Sequence, residues 1–301
     1  MRALAEFIMR GRLQASLVAL AGNLVPLISP ATVALVTLRH PLQEGLLVLL
    51  WACLPLLAMV MWGDVSPLLA ATSLVGVMGV VPVAQVLRQT QSWPLTLAAI
   101  LTVSGAAMGL VASVAGEATT LLLAELQGVL ETLKAGDTPQ TGSVFHLLMG
   151  AMAVGMGLEQ ASVLFVLGFL AWLTAMQLVA SLLLGRWWQA LLYNPGGFRA
   201  EFHGLRLDRV LAAGLIIGIV ACNLGAAELG PWASLLGLPL LLAGLGLVHY
   251  TVQFWQLGVQ WLVLLYFGLV IFSPLSLVLV GIAFLDSVFD FRARLRPRKG
   301  Q

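Results

Sequence analysis

Apolar residues run along this chain in blocks of about twenty, separated by short polar punctuation. A bilayer core of about 30 Å is crossed by roughly 20 helical residues rising about 1.5 Å each. The blocks 42–62, 65–87, 93–115, 161–184, 210–227 and 231–252 fit that length, and each predicts a spanning helix. Two longer stretches, 13–38 and 254–290, are interrupted. The first contains Asn23, Pro26, Ser29 and Pro30, and the second contains Ser273 and Pro274. Proline removes a backbone donor and clashes with the preceding turn, so each break predicts a kink or a tight helical hairpin. The expected fold is all-α, a polytopic transmembrane helix bundle in one integral membrane domain over residues 1–301. Counting both arms of the two proline-broken stretches, it has about 8–10 membrane segments.

Composition agrees with the pattern. Hydrophobic residues make up 60% of the 301 and charged residues 9%, against about 25% charged in a soluble domain. The net charge of +2 is too small to argue for nucleic acid, and the basic residues sit at segment ends rather than along a face. Cys53 and Cys222 lie inside apolar blocks, which predicts reduced, packed thiols rather than a disulfide. Arg2, Arg10 and Arg12 precede the first apolar stretch with no clear small-residue cleavage site after it, so that stretch is expected to stay.

The basic residues orient the threading. With the N-terminus inside and 13–38 folded as a hairpin, fourteen of the fifteen Lys and Arg residues fall on one side and only Lys134 lies opposite. A turn near Pro274 then returns the C-terminal tail, residues 291–301, to the same side. The expectation is a bacterial inner-membrane protein with a cytoplasmic C-terminus and, by the hairpin, a cytoplasmic N-terminus. A single span through 13–38 is the alternative, and it strands three arginines outside. Residues 117–142 carry Glu117, Glu125, Glu131 and Asp137 and begin with apolar residues at helical spacing, predicting an external amphipathic helix and loop. Residues 143–157 are apolar but too short to span, which predicts an external interfacial or re-entrant helix.

Polar groups that membrane burial makes expensive are the candidates for function. Asn23 and Ser29 stand at the first break, where a broken helix exposes backbone groups that can hold a ligand; the alternative is a kink in which Asn23 satisfies freed backbone. His146, Glu159 and Gln160 suggest a polar external cavity, or an interfacial turn facing water. Gln253, Gln256 and Gln260 recur at helical spacing. Asn223 is expected to seek an interhelical hydrogen bond. Trp62, Trp93, Trp187, Trp188 and Trp232 sit at segment ends as an aromatic belt would place them. Gly105/Gly109 and Gly214/Gly218 match the small-xxx-small pattern, a weak signal among 31 glycines.

Catalytic signatures are missing: there is no zinc-protease, nucleophile-elbow, phosphate-loop or Cys-x-x-Cys motif, and the four histidines lack metal-ligand spacing. No enzyme, cofactor or metal is expected. The most distinctive string is 185–209, a basic elbow broken at Asn194-Pro195-Gly196-Gly197. Its Arg186, Arg199, Arg206 and Arg209 are expected to contact lipid headgroups or a protein partner in the cytoplasm or membrane.

This string, with Phe202 followed by Leu205-Arg206-Leu207 and the terminal Leu285-Asp-Ser-Val-Phe-Asp-Phe-Arg292, resembles the YybS-like family of uncharacterised bacterial membrane proteins, over most of the chain. The early Leu38-Arg-His-Pro-Leu-Gln-Glu-Gly45 also resembles that family's Leu-Arg-x-Gly element, with Pro41 where glycine is usual. The family is in turn similar to the substrate-binding components of energy-coupling factor transporters, whose first helix often carries Ala-x-x-x-Ala, matched here by Ala15 and Ala19. The resemblance implies a protein that binds or transports a small molecule or lipid-like ligand. The alternative is a membrane scaffold or regulatory protein docking a partner through its basic loop and tail.

Overall fold

The computed structural model describes residues 1–25, 27–62, 67–114, 116–135, 162–272 and 274–295, together with 150, 152 and 154. Every regular element among them is helical. A short α1 (Arg2–Ile8) leads into α2 (Arg12–Ala21), α3 (Ile28–Arg39), α4 (Leu42–Trp62), α5 (Pro67–Met78), α6 (Val80–Thr90), α7 (Trp93–Val114) and α8 (Gly116–Lys134). The second half comprises α9 (Val163–Tyr193), α10 (Gly197–Gly204), α11 (Arg209–Leu224), α12 (Gly230–Phe254), α13 (Gln260–Ile271), α14 (Pro274–Phe289) and α15 (Phe291–Leu295). Among the described residues, five helical stretches are long and apolar enough to cross a membrane, and seven are if each of two bent pairs is one span. The larger segment number read from the sequence also counts half-length arms such as α2 and α3, of 10 and 12 residues.

The core is organised around α9. Its 31 residues extend about 46 Å, well beyond a bilayer core, so its last turns project at one end. Ser162 caps its start by accepting the Phe165 amide at 3.2 Å, which satisfies one of the orphan donors of the first turn. Helices α3, α7 and α12 pack along it, and Phe165, Phe169 and Trp188 are fully buried there. A close backbone approach is at Gly185, where a Cβ would sit 2.8 Å from the Ala34 Cβ and 3.1 Å from the Ala31 carbonyl oxygen of α3. A second tight crossing is at Gly244 of α12, where a Cβ would meet the Leu279 carbonyl oxygen of α14 at 2.6 Å. Gly105, Gly109 and Gly214 face open space, while a Cβ at Gly218 of α11 would sit 2.9 Å from Leu236 of α12, so only one of the four small-xxx-small glycines marks a close helix contact.

Both proline breaks are hairpins. Arg12, at the start of α2, lies 3.0 Å from Glu44 at the start of α4, and Glu44 in turn lies 3.1 Å from His40 at the end of α3. The start of α2 and the end of α3 therefore share one end of the bundle, with the turn at Gly22–Leu24 at the other. Helices α13 and α14 meet at 120°, and the end of α14 returns to the basic elbow through an Arg206–Asp290 ion pair. Helix α8 forms where the amphipathic pattern predicts it and buries Thr119, Leu122, Leu126 and Val129. Residues 143–157 lie outside the described residues apart from three isolated positions.

Three readings are corrected. Gln253, Gln256 and Gln260 do not share a helical face, because α12 ends at Phe254 and Gln256 adopts a left-handed backbone in the turn before α13. Asn223 is exposed and donates to the Ile219 carbonyl of its own helix at 2.8 Å, so it glues no neighbour. Trp188 is wholly buried and belongs to the core rather than to an aromatic belt.

Candidate functional site

The two hairpins and the elbow sort the polar groups into two places. One is a cavity of about 260 Å³ at the break of the first hairpin, where Asn23 and Ser29 meet Leu56 of α4, Ser73 and Val77 of α5, and Gln177 of α9. The break creates it: Leu27 takes a left-handed backbone before α3 starts, and the carbonyls at the end of α2 lose their helical partners. Asn23 answers that loss. Its amide nitrogen lies 3.1 Å from the Ala19 carbonyl, 3.3 Å from the Ser29 hydroxyl and 3.1 Å from the Ala52 carbonyl of α4. Ser29 is buried and donates to the Ala19 carbonyl at 2.7 Å. Asn23 therefore satisfies the broken backbone and also lines a cavity.

Gln177 also lines the cavity, and no motif in the sequence marks it. It lies about 21 Å along α9, near the middle of that 31-residue helix. Gly76 of α5 makes room for it, since a Cβ there would come 2.5 Å from the Gln177 side-chain oxygen. A single amide inside a long apolar span was the available signal, and its partners came from helices distant in sequence. His146, Glu159 and Gln160 lie outside the described residues, so the external cavity proposed for them has no geometry.

The second place is the basic end. Arg186 of α9 donates through Nε to one Glu201 oxygen at 2.9 Å and through Nη2 to the other. Trp93 of α7 adds an indole donor to Glu201 at 3.3 Å. Arg206 pairs with Asp290. Arg199 and Arg209 are exposed, while Asp208 caps α11 by accepting the Leu211 amide at 2.9 Å. Of the four arginines expected to reach headgroups or a partner, two are thus engaged by acids of this chain and two project outward. Arg39 stacks over the Tyr193 ring at 4.4 Å, and Arg88 donates to the Thr37 carbonyl at 3.2 Å and to the His40 carbonyl. His203 and His249 approach to 6.1 Å between ring centroids, yet among the described residues no three His, Cys, Asp or Glu side chains group to hold a metal.

Fold and sites together define a polytopic all-helical bundle with spans suited to a bilayer, a polar cavity at a broken hairpin, and a basic opposite end. No family model matches the chain, and neither a curated protein nor a solved structure is significantly similar to it.

Proposed function

We propose that this is a multi-pass protein of the bacterial inner membrane, with the basic end in the cytoplasm, that binds or transports a small molecule or lipid-like ligand in the hairpin cavity. The observation that carries the reading is the convergence of Asn23, Ser29, Ser73 and Gln177 from four elements on one cavity of about 260 Å³. Polar side chains at bilayer depth are costly unless they serve a partner, and ligand sites in membrane bundles are built at broken helices. Among the described residues the cavity lining is amide, hydroxyl and apolar, which suits an uncharged ligand offering both donors and acceptors. Its volume falls below the roughly 300–1,000 Å³ of ordinary ligand pockets, so the ligand, or the part of it that is held, is small. The positive-inside rule supports the orientation, and the resemblance to the YybS-like family supports the binding role.

Native mass spectrometry of the protein purified from its membranes tests this. A low-mass adduct is expected on the wild type and is lost in Gln177→Leu, whose thermal stability stays close to the parent. A wild type without adduct, or an adduct retained in both Gln177→Leu and Asn23→Ala, counts against it. The scaffold reading rests on Arg199 and Arg209, the exposed arginines of the elbow. It expects the double variant Arg199→Ala/Arg209→Ala to lose a reproducible crosslinked partner.

A further inference from the structure

We propose that the basic end holds a binding site for a phosphate group, distinct from the hairpin cavity and independent of what that cavity binds. A cavity of about 370 Å³ opens there, lined by Arg39, Arg88, Gln91, Arg186, Gln189 and Glu201. It draws on the end of α3, the end of α6, the last turns of α9 and the elbow helix α10, so it is a junction rather than a surface stripe.

The charge balance selects the ligand. Three guanidinium groups line the cavity against one carboxylate, and that carboxylate is fully occupied: Glu201 takes both of its strong bonds from Arg186 and a third contact from Trp93. Arg186 is thereby neutralised and held rigid, with its Nη1 donating to the Gln189 side-chain oxygen. That bond turns the Gln189 amide so that its NH2 is the end left to donate. Arg88 is fixed by two backbone carbonyls at the end of α3, where a cation also complements the helix dipole. Arg39 is fixed by the Tyr193 ring. Among the described residues neither Arg39 nor Arg88 meets a carboxylate. Two positioned, uncompensated guanidinium groups in a cavity also lined by the Gln91 and Gln189 amides suit a phosphate, whose several oxygens accept from more than one direction.

A phosphate monoester in solution and the headgroup of an anionic lipid offer the same chemistry, and the test separates them. In one arm, full-length protein in neutral detergent and phosphate-free buffer is titrated with glycerol 3-phosphate while thermal unfolding is followed. In the other, the protein is compared in nanodiscs of phosphatidylcholine with and without phosphatidylglycerol. A saturable rise in Tm in the first arm assigns a soluble ligand, a rise confined to the second assigns the lipid, and a rise in both assigns the shared group. In whichever arm responds, Arg39→Gln is expected to weaken the apparent affinity about tenfold or more, as loss of a charged hydrogen bond does. Arg10→Gln, an exposed arginine outside the cavity, leaves it unchanged. Arg88→Gln should match Arg39→Gln, but Arg88 also caps α3, so the exposed Arg39 decides if the Arg88 variant fails to fold. No response in either arm, or an equal response in wild type and Arg39→Gln, overturns the proposal.

Discussion

Arg292 lies with its Nε 3.3 Å from the Asp286 Oδ2, and both side chains are almost completely buried. The Nε–H points off the axis of a hydrogen bond, so this contact is an ion pair, and the directed bonds go elsewhere. Arg292 donates to the His203 carbonyl at 2.8 Å and to the Ala243 carbonyl at 3.3 Å, while Asp286 accepts the Phe291 amide at 2.9 Å. One pair thus ties the last span to the tail helix, to the basic elbow and to α12. Burial pushes the Arg292 guanidinium below its ordinary pKa, and Asp286 opposes that shift.

Removing one partner of that pair leaves the other as an uncompensated buried charge. Asp286→Ala is expected to destabilise by about 3–5 kcal/mol, whereas replacing both partners with apolar residues of similar volume costs much less. A double-mutant cycle of Asp286→Ala and Arg292→Met, read by denaturant unfolding in detergent, measures the coupling. Additive single effects would show that the carbonyl contacts of Arg292, not the pair, hold the tail.

Helix α3 approaches α9 at Gly185 too closely for a side chain. Gly185→Ala drives a Cβ to within 2.8 Å of Ala34, and such overpacking costs about 1–3 kcal/mol. Gly105→Ala meets nothing within 4 Å and gains helix propensity of up to about 1 kcal/mol. Thermal unfolding of the two variants should therefore move in opposite directions. Equal shifts would show that the α3–α9 contact is looser than described.

Much of this was legible in the chain, and the illegible part has a physical cause. Spans follow from apolar runs because a bilayer fixes their length, and the breaks near Pro30 and Pro274 follow from proline sterics. The amphipathic α8 is visible in its spacing alone. What stayed hidden depended on partners far apart in sequence. Gln177 gains meaning from Asn23 and Ser29, about 150 residues earlier, and Gly185 from Ala34. Arg39 and Arg88 looked like orientation signals because nothing local shows that Glu201 is already taken by Arg186. Helical spacing misled at Gln253, Gln256 and Gln260 because the helix ends between them.

Acid should loosen the elbow before the bundle. Asp290 is paired with Arg206 and accepts the Ala293 amide at 3.1 Å. Burial alone would raise its pKa, but the Ala293 amide, Arg206 and Arg292 outweigh that and hold it below the ordinary carboxylate value. A carboxyl depressed in the folded state contributes stability above its unfolded pKa and loses it as pH falls through the folded value. Asp290→Asn should therefore be less stable than wild type at neutral pH, with the gap closing as the buffer is taken below the normal carboxylate range. Tm measured against pH for both proteins checks this, and a gap independent of pH would assign Asp290 a purely steric role.

The first hairpin is the feature on which the topology turns. A single helix through 12–39 would be about 40 Å long and would carry Arg12 to the opposite side of the bundle from Arg39. Instead Arg12 reaches Glu44 at 3.0 Å, and Arg88 reaches the carbonyls that end α3, so all four elements close on one side. Cysteine accessibility distinguishes the two arrangements in a background where Cys53 and Cys222 are replaced. Leu24 at the hairpin turn is 89% exposed, and Leu24→Cys is expected to react with a membrane-impermeant thiol reagent added to intact cells. Gln91→Cys, at the basic end, should react only after the cells are opened, and reporter fusions at Met1 and at the C-terminus should both be active as cytoplasmic fusions. A protected Leu24→Cys with an external Met1 would break the hairpin reading, and with it the cavity that depends on the turn, while leaving the ion pairs from α9 onward in place.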